Sequence, residues 1–368
     1  MKTRILRSQD FAQLIKAIGK DRLMDEMIGA LSSVLDGHKR ADFDCPVRSG
    51  FHYAQPRPGL LEWMPVLHRG HDCLMKMVGY HPQNPVENGL PTILSTYALF
   101  DTASGHLRMI LDGTLLTALR TGAASAVASR ILAHSDSAVL GLVGCGAQAV
   151  TQLHALSRCF KFREVLVYDE DFCVSESFGR RIAQLNLAGL RVRRTTVNEI
   201  LAESDIVCTA TSVEPGHGPV IQDGAHKPHL HINAVGSDFP GKFELPLALL
   251  RRAFVAADFL PQAEKEGECQ QLEPGAVAVD FVGLIGDASV HAEQRNRLSV
   301  FDSTGWALED LVATELMAGF ADEFGLGVEE ELESLSADPY DPYAIAPNYD
   351  SPAMAIAIAD GVARQSLQ

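Results

Sequence analysis

A short apolar run that closes on closely spaced glycines lies in the middle of the chain. Residues 139–149 read Val-Leu-Gly-Leu-Val-Gly-Cys-Gly-Ala-Gln-Ala, a pattern typical of a buried strand that turns sharply into a helix. Gly144 permits the tight turn, Gly146 lets the backbone approach a phosphate, and Ala149 allows the helix to pack closely on the strand. Because free N–H groups at the start of a helix attract anions, the pattern predicts a dinucleotide-binding fold.

A second apolar segment supports this interpretation and indicates which cofactor is bound. Residues 164–168 are typical of another buried strand. Asp169 follows them roughly 25 residues after Gly144, where a carboxylate accepts hydrogen bonds from ribose hydroxyls. Glu170 and Asp171 come next, without an Arg or Lys. A 2′-phosphate would be repelled by these acids, so the sequence favours NAD(H) over NADP(H).

Composition excludes several classes of protein. The 368 residues are 46% hydrophobic, which is enough to bury a substantial core in about two domains. A net charge of −16 without a Lys/Arg run argues against nucleic acid or an anionic membrane surface as a partner. The seven cysteines contain no C-x-x-C pair, which favours a reducing cytoplasm over a disulfide framework. The first residues lack a long apolar stretch, so neither export nor a membrane span is expected.

The first third of the chain predicts a helix followed by a sheet. Residues 9–36 have helical periodicity with a break near Gly19. Strand-like segments separated by Pro, Gly and Asp then continue to residue 111 and are typical of an antiparallel sheet. An Ala-rich segment without proline, residues 115–133, predicts a long helix that leads into the nucleotide-binding strand.

The middle third alternates apolar strands with helical stretches, which predicts a doubly wound parallel sheet. A further strand at 298–302 precedes a helix at 307–324, and the remainder is rich in turns. The expected fold class is therefore α/β. A Rossmann-type domain is expected at residues 126–319, and residues 1–125, with 320–368 returning to them, are expected to form a second, α+β domain.

Four segments together resemble the ornithine cyclodeaminase/mu-crystallin family, and the resemblance covers nearly the whole chain. They are LRTGAAS at 119–125, GCGAQ at 144–148, NAVGSDFPGKFE at 233–244 and FDSTGWALED at 301–310. Residues 60–65, 79–82 and 266–272 look most like the amino-acid cyclodeaminases of this family. Residues 115–130 and 301–305 look more like the lysine cyclodeaminases than the ornithine ones.

This resemblance implies a redox-neutral cyclisation of a diamino acid. NAD⁺ would remove hydride from Cα, the terminal amine would attack the resulting iminium, ammonia would leave, and the same hydride would reduce the cyclic imine. Lysine would give pipecolate, or ornithine would give proline. The family further implies a homodimer whose N-terminal sheets pair, with the second domain binding the substrate. The cofactor supplies the difficult chemistry, while the protein orients the substrate and moves protons.

The resemblance assigns two carboxylates to the reaction. Asp238 lies just beyond a predicted strand end, where open α/β sheets bind ligands, and a carboxylate close to Cα can move the protons that the reaction requires. Its alternative role is to cap the following turn. Glu62, inside an apolar segment, could hold the terminal ammonium or activate water. The alternative for Glu62 is a salt bridge with Lys76 on the neighbouring strand.

Basic residues are expected to bind the substrate carboxylate. Arg48, Lys76 and Arg120 match the basic positions of the family, although an Arg in an Ala-rich helix is more often a surface residue. Because an unpaired ammonium is costly to bury, Lys76 should contact the substrate or a carboxylate. Met64 and Thr304 complete the expected substrate-binding set.

The remaining matched positions are expected to bind the cofactor. Besides Gly144 and Gly146 they are Thr121, Ala147, Gln148, Asp169, Thr209, Val235, Lys242 and Ser303. Thr209 and Ser303 lie at strand ends, where a hydroxyl can reach a phosphate or the nicotinamide amide, and a capping role is the alternative for both. The histidines and cysteines have no metal-ligand spacing, so no metal site is predicted.

Two other classes of function stay open. One is a net oxidoreductase of the same fold, such as an alanine dehydrogenase or a ketimine reductase. The other is a non-catalytic binding protein, since the family also contains a lens crystallin that binds NADPH and thyroid hormone. Asp238 together with Glu62 favours catalysis, and the acids after Asp169 disfavour NADPH. A cyclodeaminase would release ammonia without accumulating NADH, which distinguishes it from the oxidoreductases.

Overall fold

The computed structural model describes residues 1–37 and 42–344, and within them two eight-stranded sheets form. The strands of the first sheet are β1 (Thr3–Leu6), β2 (Phe43–Asp44), β3 (Ser49–Tyr53), β4 (Gly59–His68), β5 (Asp72–Tyr80), β6 (Ile93–Asp101), β7 (Leu107–Asp112) and β16 (Val328–Glu330). Those of the second sheet are β8 (Val139–Val143), β9 (Glu164–Tyr168), β10 (Arg191–Arg194), β11 (Ile206–Thr209), β12 (His231–Ala234), β13 (Phe254–Ala257), β14 (Val279–Asp280) and β15 (Ser299–Asp302).

The helices of the described residues cover and connect these sheets. They are α1 (Ser8–Gly37), α2 (Asn84–Glu87), α3 (Thr114–Leu132), α4 (Ala147–Ser157), α5 (Phe172–Glu176), α6 (Phe178–Ile182), α7 (Val197–Glu203), α8 (Leu247–Leu250), α9 (Leu260–Glu266), α10 (Phe281–Gly286), α11 (Ala288–His291) and α12 (Ala307–Phe324). In α1, Gly19 has φ 80° and ψ 159°, which confirms the predicted break. None of the described helices combines the length and apolar character that a membrane crossing would need.

The second sheet has the doubly wound arrangement that the sequence predicts. Its strands are all parallel and follow the order β10-β9-β8-β11-β12-β15-β13-β14. The chain first builds outward from β8 through β9 to β10 and then returns to place β11 on the other side of β8. The winding direction therefore reverses between β8 and β11, and ligands bind at this kind of switch point in open α/β sheets.

The antiparallel pairing predicted for the strand-like segments between residues 51 and 111 is confirmed, although the first sheet as a whole is mixed. Its central strands, β4 to β7, pair antiparallel in sequence order. However, β1 pairs parallel with β7 and antiparallel with β16. Because β1 has four residues and β16 has three, neither is long enough for an alternating pattern to stand out in the sequence. Through β16, the segment after α12 rejoins the first sheet.

Helix α3 connects the two sheets and packs against both of them. Its small side chains permit close packing on α4, since a Cβ on Gly122 would lie only 2.7 Å from the carbonyl oxygen of Thr151. The expected domain boundary between residues 125 and 126 falls inside this helix. Part of the expected segment 320–368, residues 345–368, lies outside the described residues. The domain division therefore remains a proposal.

Candidate active site

A cavity of about 440 Å³ lies between the two sheets. One wall is formed by β3 to β6, and the other by the segments that follow β11, β12 and β15, with α3 and the start of α4 between them. The predicted site residues that line it are Arg48, Glu62, Met64, Lys76, Arg120, Thr121, Gln148, Val235, Asp238, Lys242, Ser303 and Thr304. The structure thus brings together every residue that was predicted to contact the substrate or to take part in the reaction.

Strand alternation directs the side chains of β4 and β5 into this cavity. Successive side chains of a strand point to opposite faces of the sheet, so Glu62 and Met64 face inward while Leu61 and Trp63 face outward. Met64 lies directly opposite Lys76 in the antiparallel register. Glu62 and Lys76 therefore occupy the same face in diagonal positions.

Lys76 and Arg120, named here the cation pair, share a buried carboxylate. The Nζ of Lys76 lies 3.1 and 3.2 Å from the two carboxylate oxygens of Asp310, and the Nε of Arg120 donates to the same residue at 2.8 Å. The Nη1 of Arg120 also donates to Glu309 at 2.9 Å. Both acids belong to the first turn of α12 and are buried. The alternative salt bridge between Lys76 and Glu62 is wrong, because Asp310 pairs with the ammonium.

Burial and pairing shift the protonation of these groups in different directions. Burial lowers the pKa of Lys76 to about 8, and Asp310 opposes this shift. Burial raises the pKa of Glu309 to about 8, although Arg120 acts in the other direction. For Asp310, burial also raises the pKa, but Arg120 and Lys76 together outweigh it and hold the value below its ordinary range. Asp310 is therefore the ionised counter-ion of the cation pair.

Arg48 lies between Glu62 and Glu266, and these three residues are named here the acidic cluster. The Nε of Arg48 is 2.6 Å from Glu266 and 3.6 Å from Glu62. The N–H does not point at the Glu266 oxygen, so this contact is an ion pair without a hydrogen bond. The two Nη atoms donate to the carbonyl oxygens of Thr304 at 3.1 Å and Asp238 at 2.6 Å. With the guanidinium occupied in this way, the carboxylate-binding role of Arg48 stays a prediction.

The acids of this cluster have raised pKa values. Burial raises the pKa of Glu266 to about 8, and it also raises the pKa of Glu62 above its ordinary value. In both cases Arg48 opposes the shift, and the nearby Asp238 adds to it. One buried guanidinium is thus too little positive charge for the carboxylates around it. A further cation that entered the cavity would be stabilised here.

Asp238 is paired with a residue that was predicted to bind the cofactor. The Nζ of Lys242 donates to Asp238 Oδ1 at 2.9 Å and lies 5.2 Å from the centroid of the Tyr80 ring. Burial lowers the pKa of Lys242, but Asp238 and Tyr80 raise it more, so that the net shift is upward. The charged Lys242 therefore holds the Asp238 carboxylate at the cavity wall, where it can exchange a proton with a bound substrate.

The glycine turn fits a dinucleotide. Gly144 has φ 88°, and a Cβ there would lie 2.5 Å from the carbonyl oxygen of Ala210. In the described part of the chain, no atom beyond its own neighbours lies within 4 Å of where a Cβ on Gly146 would stand. The space before the N-terminus of α4 is therefore open to a phosphate. Asp169 Oδ2 accepts a hydrogen bond from the backbone N–H of Cys145 at 2.7 Å, which fixes the carboxylate beside the turn.

Other residues predicted to bind the cofactor have different surroundings. Ala147 is the first residue of α4. The buried Ser303 hydroxyl lines the cavity and has no hydrogen-bond partner within residues 1–37 and 42–344, so it is available to a ligand. The Thr209 hydroxyl donates to Glu244 at 2.6 Å. A carboxylate thus holds the Thr209 hydroxyl, and both the cofactor role and the alternative capping role of Thr209 stay predictions.

Three carboxylates that shape the site received no role from the sequence. They are Glu266, Glu309 and Asp310, and all lie in segments that carry the family resemblance. An available signal was the position of Glu309 and Asp310 between the apolar residues 307–308 and 311–313. A carboxylate on a buried helix face needs a cation, and Lys76 already needed a carboxylate.

Comparisons with known proteins identify the family of this chain. The model of the ornithine cyclodeaminase/mu-crystallin family matches residues 8–321. The L-lysine cyclodeaminase of Streptomyces rapamycinicus is 40% identical over 346 residues, which cover 94% of this chain and 100% of that protein.

Two solved structures extend this similarity. A lysine cyclodeaminase, studied for its recognition of L-lysine, L-ornithine and L-2,4-diamino butyric acid, has a TM-score of 0.91 at 48% identity. The match covers 94% of this chain and 100% of that one. An archaeal alanine dehydrogenase dimer with bound NAD has a TM-score of 0.76 at 28% identity, covering 90% of this chain and 100% of that one. From the match over residues 8–321 and these relatives, the chain belongs to the ornithine cyclodeaminase/mu-crystallin family.

Proposed function

We propose that this chain is an NAD-dependent cyclodeaminase that converts L-lysine to L-pipecolate and releases ammonia. The observation that carries the proposal is that the cation pair and, from the acidic cluster, Arg48 and Glu62 line the same cavity, beside the sheet edge that holds the glycine turn. The relative and the solved structure that are lysine cyclodeaminases support lysine as the substrate. Ornithine, which would give proline by the same chemistry, is the alternative.

The cation pair binds the α-carboxylate of the substrate. Lys76 and Arg120 line the cavity, whereas their partners Asp310 and Glu309 lie behind them, outside the lining. Positive charge therefore faces the substrate. Charge-assisted hydrogen bonds of this kind contribute about 1.5–3 kcal/mol each.

The acidic cluster receives the terminal ammonium. Glu62 lines the cavity. Burial raises its pKa, and the positive charge of Arg48 is not enough to offset this shift. An ammonium placed next to Glu62 would supply the missing cation and favour the ionised carboxylate. The two clusters together match a diamino acid at both of its charged groups, and a substrate with one amine leaves the acidic cluster unsatisfied.

Asp238 carries the protons of the reaction. NAD⁺ held at the turn of Gly144 and Gly146 would supply a reversible hydride acceptor for Cα. Asp238 takes a proton from the α-ammonium, which gives the neutral amine that oxidation requires, and returns it to the departing ammonia. Once the terminal ammonium has lost a proton to water, its nitrogen forms a bond to Cα, and the bond from Cα to the α-nitrogen breaks. The α-nitrogen leaves as ammonia, which takes up the lost proton in solution, so lysine loses one ammonia and no oxidant is consumed.

Product analysis tests this proposal. The chain is incubated with catalytic NAD⁺ and an equimolar mixture of lysine, ornithine and 2,4-diaminobutyrate, and the products are identified by mass spectrometry. We expect pipecolate and ammonia without accumulation of NADH. Proline as the main product would identify ornithine as the preferred substrate. A free 2-oxo acid with one NADH per turnover would contradict the proposed activity and place the chain with the dehydrogenases.

We further propose that the chain forms a homodimer through the outer face of the first sheet. Phe51, Leu61, Met77 and Leu94 are 68, 42, 41 and 40% exposed. They belong to the adjacent strands β3 to β6 and lie on the face opposite the cavity. A contiguous exposed apolar patch of this kind marks an interaction site, and the archaeal alanine dehydrogenase of the same fold is a dimer.

Light scattering after size-exclusion chromatography tests the dimer. We expect a dimer for the unmodified chain and a monomer for Met77→Glu, because a charge would then be buried in the interface. Val290→Glu is the matched control, since Val290 is 59% exposed on α11 and its substitution should leave the dimer intact. A monomeric unmodified chain would contradict the proposal.

A further inference from the structure

The Asp310 carboxylate accepts hydrogen bonds from three different side chains. It accepts hydrogen bonds from Lys76 and Arg120, and the Tyr97 hydroxyl donates to its Oδ1 at 2.7 Å. The side chain is completely buried. Its donors come from β5, α3 and β6, whereas Asp310 itself belongs to α12. One carboxylate therefore ties four separate elements together directly behind the cavity wall.

The two cations do not depend on Asp310 equally. Arg120 has a second carboxylate partner, Glu309, at 2.9 Å. For Lys76, Asp310 is the one carboxylate within ion-pair distance among residues 1–37 and 42–344. An ammonium that is 1% exposed cannot obtain compensation from bulk water. Loss of the Asp310 charge therefore affects Lys76 more than Arg120.

Charged and titratable groups from every neighbouring element face Lys76. They are Asp310 on α12, Arg120 on α3, Arg48 before β3, Glu62 on β4 and Tyr97 on β6. Arg120 and Arg48 are cations and favour loss of the Lys76 proton. Asp310 is the acid in direct contact with the ammonium, so it opposes both of them.

We propose that Asp310 is a positioning residue that keeps Lys76 protonated and holds Lys76 and Arg120 as a matched pair for the substrate carboxylate. The inference rests on the proposed function, because it concerns the same site. Without the charge of Asp310, Lys76 gives up its proton at lower pH, and Arg120 is left alone to bind the carboxylate. The Asp310 carboxylate touches neither substrate nor cofactor, and it acts through the two cations.

The pH dependence of kcat/KM for lysine is the first test. Asp310→Asn removes the charge and keeps the shape, and Tyr97→Phe is the matched control because it removes a neutral donor to the same carboxylate. An adjacent opposite charge shifts a pKa by about 1–3 units, so the alkaline limb should move down by about that much in Asp310→Asn and stay in place in Tyr97→Phe. An unmoved limb in Asp310→Asn, or equal shifts in both variants, would overturn the proposal.

The melting temperature gives a second test that requires no turnover. The pKa of Lys76 is about 8 in the folded chain, below its ordinary 10.5. Below about pH 8 the ammonium is charged and Asp310 stabilises it, and above this pH that contribution is lost. The deficit of Asp310→Asn relative to the unmodified chain should therefore be larger at pH 7 than at pH 10, while that of Tyr97→Phe stays constant.

The outcomes separate this proposal from the proposed function. A pH-independent deficit in Asp310→Asn overturns the role of Asp310 whatever the substrate is. The expected pH dependence without lysine turnover counts against the proposed activity alone. If Asp310→Asn fails to fold, the double variant Lys76→Met/Asp310→Asn should restore folding, because no ammonium remains to be neutralised. A double variant that is no more stable than the single one overturns the proposal.

Discussion

The cation pair and the acidic cluster contain similar groups but are compensated in opposite ways. In the cation pair, Lys76 and Arg120 hold the pKa of Asp310 below its ordinary value, and Asp310 stays ionised behind them. In the acidic cluster, Arg48 does not overcome burial, and the pKa of Glu62 is raised. The cation pair therefore presents positive charge to the cavity, whereas the acidic cluster has too little positive charge to balance its carboxylates.

This difference shows that the polarity of the cavity comes from the balance of buried cations and carboxylates within each cluster. Each cluster is completed by a group of opposite charge from the ligand. A carboxylate completes the cation pair, and an ammonium completes the acidic cluster. The proposed substrate, a diamino acid, carries both. Variants in each cluster, and outside both, can break or sharpen this comparison.

The largest effect is expected at Asp238, which belongs to neither cluster and serves the reaction itself. Asp238→Asn should lower turnover by about 10²–10⁴-fold, the usual contribution of a proton-transfer group, while NADH binding persists. Ammonia release and a fluorescence titration with NADH measure the two properties. Asp223→Asn is the control, because Asp223 is exposed and pairs with Arg252 at the surface. A folded Asp238→Asn variant with full activity would show that Asp238 is a structural cap.

The next effect is expected in the cation pair. Lys76→Met removes one charge-assisted contact to the carboxylate, worth about 1.5–3 kcal/mol, so KM for lysine should rise roughly 10- to 150-fold. The ammonium that binds in the acidic cluster is unaffected by this change. Steady-state kinetics measure KM for lysine, and an unchanged KM would mean that Arg120 alone binds the carboxylate.

A smaller effect with a distinct pH signature is expected in the acidic cluster. Burial raises the pKa of Glu62 above its ordinary 4.5, so Glu62 loses its charge as the pH falls through this raised value. The acid limb of kcat/KM should therefore lie above pH 4.5 and disappear in Glu62→Gln, with KM raised roughly tenfold, or about 1.4 kcal/mol. If the limb persists unchanged in the variant, Glu62 does not bind the ammonium.

The smallest effect on lysine binding is expected at Asp169, which lies outside both clusters. The unmodified chain should bind NAD⁺ more tightly than NADP⁺, and Asp169→Asn should narrow this difference by removing repulsion from the 2′-phosphate. KM for lysine should not change. Cofactor affinities from fluorescence titration measure the effect, and equal binding of the two cofactors by the unmodified chain would contradict the assignment of Asp169.

The sequence predicts the second sheet better than the first because of how each is encoded. The strands at 139–143 and 164–168 and the helix at 307–324 have the bounds that were predicted. Each is a continuous apolar or periodic segment between turn residues, so local information defines it. In contrast, β1 and β16 are short and stabilised by pairing with distant strands, which no local pattern reveals.

The same distinction applies to the site. The cavity residues were predicted mainly from motifs shared with the family, and the alternation along β4 and β5 directs their side chains into the cavity. The counter-ions were missed because Lys76 and Asp310 are 234 positions apart in the chain. Their contact is set by the packing of α12 against β5. Sequence reasoning can state that a buried cation needs a carboxylate, but tertiary packing decides which one.

The central claim is that one cavity holds both charged groups of a diamino acid through a redox-neutral cycle. Lysine deuterated at Cα tests it most directly, with unlabelled NADH added at modest concentration and the product analysed by mass spectrometry. The account predicts pipecolate that keeps the deuterium at Cα, because the label returns to the carbon that it left. Pipecolate that has exchanged its deuterium with solvent, or a 2-oxo acid formed with stoichiometric NADH, would contradict it.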